Sequence, residues 1–213
     1  MIPKLHYISQ GKTPAVHLEN IQKACSAGIE LVQLDLSTIK KALRLTLAED
    51  VQAITAHFQT RLIITADYKI AKTIKADGVY LEKTDASPTL VREHLFPWQT
   101  IGAGAHTLQD CESLLKKEVD YIGLGQFKTS DATETKALGL NGYTAIAEAL
   151  STETPLIGFG SITTNDVKNI ISTGISGIAV SQEITADFNL IKTFNQLLNA
   201  SSTQEMRHSF EKP

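Results

Sequence analysis

Cysteine is scarce in this chain. Cys25 and Cys111 are the only two among 213 residues, and each sits inside a helical pattern with no Cys or His companion close in sequence. A disulfide framework and a zinc site are both excluded on that spacing, and a reducing, cytoplasmic setting is the expectation. Long apolar runs are also missing. No stretch reaches membrane-spanning length, and Met1-Ile2-Pro3-Lys4-Leu5 opens no apolar segment of signal-peptide length, so no membrane partner is expected. Aromatic residues make up 6% and the net charge is -3. With no basic stripe interleaved with aromatics, a nucleic-acid partner is not expected either. His6, His17, His57, His94 and His208 show no ligand spacing.

What is present is a soluble, globular composition, 42% hydrophobic and 20% charged. Short apolar runs alternate along it with helical patterns. Strand signals fall at Leu5–Ser9, Leu31–Leu34, Leu62–Thr65, Gly78–Leu81, Thr100–Gly104, Tyr121–Gly125, Pro155–Phe159 and Gly177–Val180. Between them lie three- and four-residue periodicities, such as Leu43, Leu47, Val51, Ile54 and Phe58, or Leu90, Val91 and Leu95. Gly28 is a helix stop, Pro88 a first-turn proline and Thr107 an N-cap. Further helices are expected to start at Tyr143 and at Thr164-Asn165-Asp166, and the last to carry Leu190, Ile191, Phe194 and Leu197. Eight strand signals alternating with eight helix signals, at a repeat of roughly twenty-five residues, predict a single (β/α)8 TIM barrel over 1–198, with a polar tail over 199–213. An open doubly wound sheet is disfavoured, because the first strand–helix junction has no Gly-rich dinucleotide fingerprint.

The stretch Pro155 to Thr163 runs from a buried strand into Gly158, Gly160 and Ser161. Glycines where a strand meets a helix let backbone N–H groups approach an anion. In such barrels the loops after strands seven and eight commonly hold a phosphate. Ser181 and Gln182, which follow the eighth strand, would complete that cradle.

Five segments together resemble the thiamine phosphate synthase/TenI family, from about Lys4 to Ile184. They are Val32-Gln33-Leu34, Ala76-Asp77-Gly78-Val79-Tyr80-Leu81, Asp120-Tyr121-Ile122-Gly123-Leu124-Gly125, Thr133-Glu134-Thr135-Lys136 and Gly158-Phe159-Gly160-Ser161-Ile162. The resemblance implies a (β/α)8 barrel. It also implies one of two activities: joining a hydroxymethylpyrimidine diphosphate to a thiazole phosphate with Mg²⁺ on the released diphosphate, or a TenI-like proton shift on a thiazole phosphate carboxylate.

The chain departs from the family's pattern on one side. Where the family carries Gln-x-Arg-x-Lys, this chain has Gln33-Leu34-Asp35-Leu36-Ser37, so both cationic positions are gone. Where the family carries Asn-Asp, it has Thr65-Ala66 followed by Asp67. The family's Gly-(Gln/Lys)-Glu-Asp becomes Glu82-Lys83-Thr84-Asp85, its Ser after strand five becomes Gly104, and His106 stands at a position where many members have histidine. The resemblance thus implies Asp85 and Asp67 as the candidate Mg²⁺ ligands if the protein is a synthase, and otherwise no cofactor. Gln33, Thr65, Lys83, Thr133, Thr135 and Lys136 are candidate substrate contacts, with Lys128 a further lysine near the phosphate; Lys136 depends on how the Gln126–Leu138 loop folds. His106 is the candidate general acid/base, since an imidazole exchanges protons near neutral pH without a metal.

Losing charge-stabilising groups around a diphosphate costs on the order of 10²-fold or more each. Efficient synthase activity is therefore not expected, and a thiazole-phosphate protein, a TenI-like tautomerase acting through His106, is the expectation. A synthase with a rearranged Mg²⁺ site and a silent binding or scaffolding relative are the alternatives. The chain's partners would be phosphorylated thiazole or pyrimidine ligands. Barrels of this size often pair through their helices, which leaves a homodimer open.

Overall fold

The computed structural model describes residues 1–129 and 137–199. Its eight strands are β1 (Leu5–Ile8), β2 (Leu31–Leu34), β3 (Arg61–Thr65), β4 (Gly78–Leu81), β5 (Thr100–Ala105), β6 (Tyr121–Gly125), β7 (Leu156–Phe159) and β8 (Gly177–Val180). Each pairs in parallel with the next, and β8 pairs with β1 through Leu5↔Ile178 and Tyr7↔Val180, so the sheet closes on itself. Strands covered on both faces need no alternation, and β2, β4, β6 and β8 are buried at every position.

The helices are α1 (Pro14–Ser26), α2 (Lys41–Phe58), α3 (Tyr68–Thr73), α4 (Pro88–His94), α5 (Leu108–Leu115), α6 (Gly139–Leu150), α7 (Val167–Ile171), α8 (Gln182–Ala186) and α9 (Leu190–Leu197). Local chemistry sets their ends. Thr13 caps α1 by accepting from the Val16 amide, and Pro14 occupies its first turn. Gly28, just past that helix, holds φ +90°, which a Cβ would oppose. Thr107 caps α5 through the Asp110 amide, and Pro88 opens α4.

Three expectations are corrected. A ninth, five-residue helix, α8, follows β8 directly; it is too short to show a period. Helix α6 begins at Gly139 rather than Tyr143, because its packing against the barrel overrides the poor helix propensity of Gly139 and Gly142. Leu43 and Leu90 are each 45% exposed rather than part of a core face. The buried stripe of α2 runs through Leu47, Ala48, Val51 and Thr55, and that of α4 through Pro88 and Val91. The tail from residue 200 lies outside the described residues.

The hydrophobic core has two shells. The larger lies between strands and helices, and the smaller fills the barrel with Leu31, Ile63, Tyr80, Tyr121, Ile157 and Ala179. Glycines make room for the two tyrosines inside: a Cβ on Gly102 would run into the Tyr121 ring, and one on Gly123 into Tyr80. The two rings stack with centroids 6.1 Å apart. Burial raises the pKa of both phenols, so they stay neutral.

Candidate functional site

Parallel closure brings the C-terminal ends of all eight strands to one rim. Of the cavities that open there, two share walls. The first, of about 160 Å³, descends into the barrel and is lined by Gln33, Asp35, Thr65, Tyr80, Glu82 and Phe159 among others. The second, of about 390 Å³, lies between the turns after β7 and β8. Both share Ile8, Phe159 and Ala179 as walls, so they form one continuous surface.

The second cavity is the pair of turns read from the sequence as a phosphate cradle. Gly160 holds φ +110° and Ser161 φ +45°. A Cβ at Gly160 would sit 2.8 Å from Cβ of Gln126 and 2.8 Å from the Phe127 amide nitrogen, so glycine is required on both conformational and steric grounds. Ser161, Ile162, Ser181 and Gln182 line the cleft. The amides of Ser161, Ile162 and Ser181 donate to no other group among the described residues. Ser181 Oγ donates to the Ile8 carbonyl at 2.7 Å, which ties the turn after β8 to β1. Glu183 is the one acid in the lining. Gly158 does not reach the cleft. It is buried within β7, and a Cβ there would lie 3.0 Å from the Tyr143 hydroxyl on α6.

In the first cavity Gln33 Nε2 donates to Thr65 Oγ1 at 3.3 Å across β2 and β3. Asp35 and Glu82, neither singled out from the sequence as a site residue, face the same space. Glu82 has found room through an exchange: the position read as the family's serine is Gly104, and a Cβ there would lie 2.6 Å from Glu82 Oε2. Glu82 as a whole residue is exposed, yet its carboxyl titrates above the usual carboxylate range. Loss of water is the largest cause, His106 opposes it, and Asp85 and Asp35 add to it.

His106 follows β5 beside this mouth. Its Nδ1 lies 2.7 Å from the Gly125 carbonyl oxygen. A carbonyl only accepts, so Nδ1 carries the hydrogen and Nε2 of the neutral ring keeps its lone pair. The ring meets the Phe159 edge with centroids 6.0 Å apart.

The other sequence candidates are held elsewhere. Asp67 caps α3, its Oδ1 accepting from the Ile70 amide at 3.1 Å. Asp85 Oδ2 accepts from the Glu82 amide at 2.7 Å, and its Oδ1 has no partner among the described residues. Among the described residues no three His, Cys, Asp or Glu side chains converge on a metal position. The donor set therefore fits Mg²⁺ only in part: each candidate carboxylate gives one oxygen to a backbone amide and keeps one without a partner among the described residues, and neither lines the two cavities. Lys83 pairs with Asp110 at 2.9 Å and Lys128 with Asp166 at 2.7 Å. Thr133, Thr135 and Lys136 lie outside the described residues.

Comparison with known proteins agrees with this architecture. The thiamine monophosphate synthase family model matches residues 5–184. A thiamine-phosphate synthase from Flavobacterium psychrophilum is 35% identical over 202 residues, covering 92% of this chain and 98% of that protein. Its counterpart from Flavobacterium johnsoniae is 33% identical over 209 residues, covering 94% and 99%. Among solved structures, a thiamine phosphate pyrophosphorylase from Pyrococcus furiosus superposes with a TM-score of 0.79 at 23% identity, over 92% of this chain and 96% of that one. That likeness speaks to the barrel alone.

Proposed function

The chain belongs to the thiamine monophosphate synthase family, and from that premise we propose that it is a thiamine-phosphate synthase. It seats a thiazole phosphate in the turns after β7 and β8 and a pyrimidine beside Gln33 and Thr65. The observation that carries this reading is the pair of adjoining turns, whose Ser161, Ile162 and Ser181 amides, without partners among the described residues, line a cleft continuous with the barrel cavity. The names of the two flavobacterial relatives favour a joining reaction over a proton shift.

In that reaction the thiazole nitrogen bonds to the pyrimidine methylene carbon as the carbon–oxygen bond to diphosphate breaks, and the electron pair leaves with diphosphate. The residues act mainly by position. Backbone amides and the Ser161 hydroxyl hold the phosphate, Gln33 and Thr65 orient the pyrimidine edge, and the barrel wall keeps water away. Thr133, Thr135 and Lys136 are proposed to add contacts on the phosphate side. Mg²⁺, when bound, would neutralise charge on the diphosphate, with Asp85 holding it. Incubating the purified protein with both substrates and Mg²⁺ tests the reading: equal amounts of diphosphate and thiamine phosphate are expected, and no diphosphate release rejects it.

A second reading has its own support in the orientation of His106, whose bare Nε2 is available as a base beside the mouth. It is a proton shift on a thiazole phosphate carboxylate. NMR of the two tautomers would show their interconversion, abolished in His106→Ala; full activity in that variant removes His106 from the role.

A further inference from the structure

The barrel cavity differs from its neighbour in charge. Its lining holds two carboxylates, Asp35 and Glu82, and three aromatic rings, Tyr80, Tyr121 and Phe159, with no Lys or Arg among the described residues. The nearest lysine in sequence, Lys83, is turned outward onto Asp110. Deeper in, two fully buried groups lack partners: His6 Nδ1 and the Tyr121 hydroxyl. His6 Nε2 lies 3.0 Å from the Pro3 carbonyl and so carries the ring hydrogen. Its Nδ1 is therefore a bare acceptor, buried behind the cavity wall. Burial lowers the His6 pKa to about 4, which keeps the ring uncharged.

Aromatic faces and carboxylates both favour one kind of ligand, a cationic ring. The adjoining cleft favours the opposite charge, through the amides of Ser161, Ile162 and Ser181, which have no partner among the described residues. We infer that the site is bipolar: Asp35 and Glu82 select a fixed positive charge on a heteroaromatic ring whose phosphate sits in the β7–β8 cleft. The pyrimidine-substituted thiazolium of thiamine phosphate has that form, whereas a free thiazole phosphate carries no ring charge. This rests on the proposed seating of the phosphate, and it makes Asp35 and Glu82 specificity residues for the joined, cationic molecule.

Calorimetry in metal-free buffer tests it on the intact chain. Thiamine phosphate is compared with its 3-deaza analogue, in which a neutral thiophene replaces the thiazolium, and with thiazole phosphate. The cation is expected to bind about tenfold more tightly than the neutral isostere. Asp35→Asn and Glu82→Gln should each erode that ratio, and the double variant should bring it near one, while the Kd for thiazole phosphate stays put. Equal binding of cation and isostere by the wild-type protein overturns the inference and needs no variant to fold. An equal weakening of all three ligands in the variants overturns it too, as does a Mg²⁺ requirement for any preference. If thiazole phosphate does not bind at all, the seating of the phosphate is wrong; unphosphorylated thiamine against its own 3-deaza analogue then still reads the charge preference alone.

Discussion

The two sides of the barrel mouth are built from different materials. The β7–β8 side presents backbone amides held by Gly160 and by the Ser181–Ile8 bond, whereas the β2–β4 side presents the side chains of Asp35 and Glu82 against aromatic rings. An anion site made of backbone survives most side-chain replacements, because any residue that keeps the turn keeps the donors. A charge site made of side chains is inverted by single replacements. Asp35 stands where the family resemblance implies arginine, and Glu82 where it implies glycine, with Gly104 giving up the volume that Glu82 needs.

The largest expected effect breaks the acidic side at its base. His6 is buried and neutral, with its pKa lowered from 6.5 to about 4. The unfolded chain therefore takes up this proton before the folded one does. The stability tied to His6 is whole above 6.5 and drains as pH falls toward about 4, by roughly 3 kcal/mol when fully developed. Urea midpoints at neutral and acid pH should show this sensitivity, and His6→Gln should lack it; the same sensitivity in both proteins would refute the assignment.

Next, Gly160→Ala attacks the amide side. With φ +110° and a Cβ 2.8 Å from that of Gln126, the turn must rebuild at a cost of about 1–3 kcal/mol. Thiazole phosphate affinity should fall about 30-fold, and calorimetry showing an unchanged Kd would mean that the turn does not hold the phosphate.

Asp35→Arg sharpens the comparison by restoring the family's charge. Inorganic diphosphate should then bind about tenfold more tightly, as a charged hydrogen bond allows. No gain would show that Asp35 does not face the ligand. The smallest effect is expected of Ser181→Ala, which removes one 2.7 Å tether to Ile8 but leaves the amides. About a threefold weakening of thiazole phosphate is expected; a loss as large as that of Gly160→Ala would shift the anion site from backbone to hydroxyl.

The barrel itself was legible because its strands are short apolar runs ended by glycine, proline or a polar turn. The boundaries of β2, β4, β6 and β8 coincide with such runs. Helix α8 was not legible, since five residues starting at Gln182 carry one buried position, Ile184, and no period. The motifs behind the resemblance turn out to serve two different ends of the molecule. Asp77 accepts from the Leu62 amide at 2.8 Å, and Asp120 from the Ile101 amide at 2.7 Å, so both tie strands together at the N-terminal end of the barrel. Gly160 and Ser161 serve the mouth. In sequence Asp35 and Glu82 are 47 residues apart, and only closure of the sheet brings them to one cavity. The interlock of Tyr80 and Tyr121 with Gly123 and Gly102 likewise depends on register between β4, β5 and β6. Asp67 is a ligand candidate only through the resemblance; its place at a helix start was legible, and there it caps α3.

Amide NMR on the isotope-labelled protein titrated with thiazole phosphate tests the central claim most directly. Saturable shifts of the Ser161, Ile162 and Ser181 amides, larger than any around Lys83 and Asp110, are the predicted result. Unmoved signals at those three amides, with the ligand bound elsewhere on the rim, would contradict it.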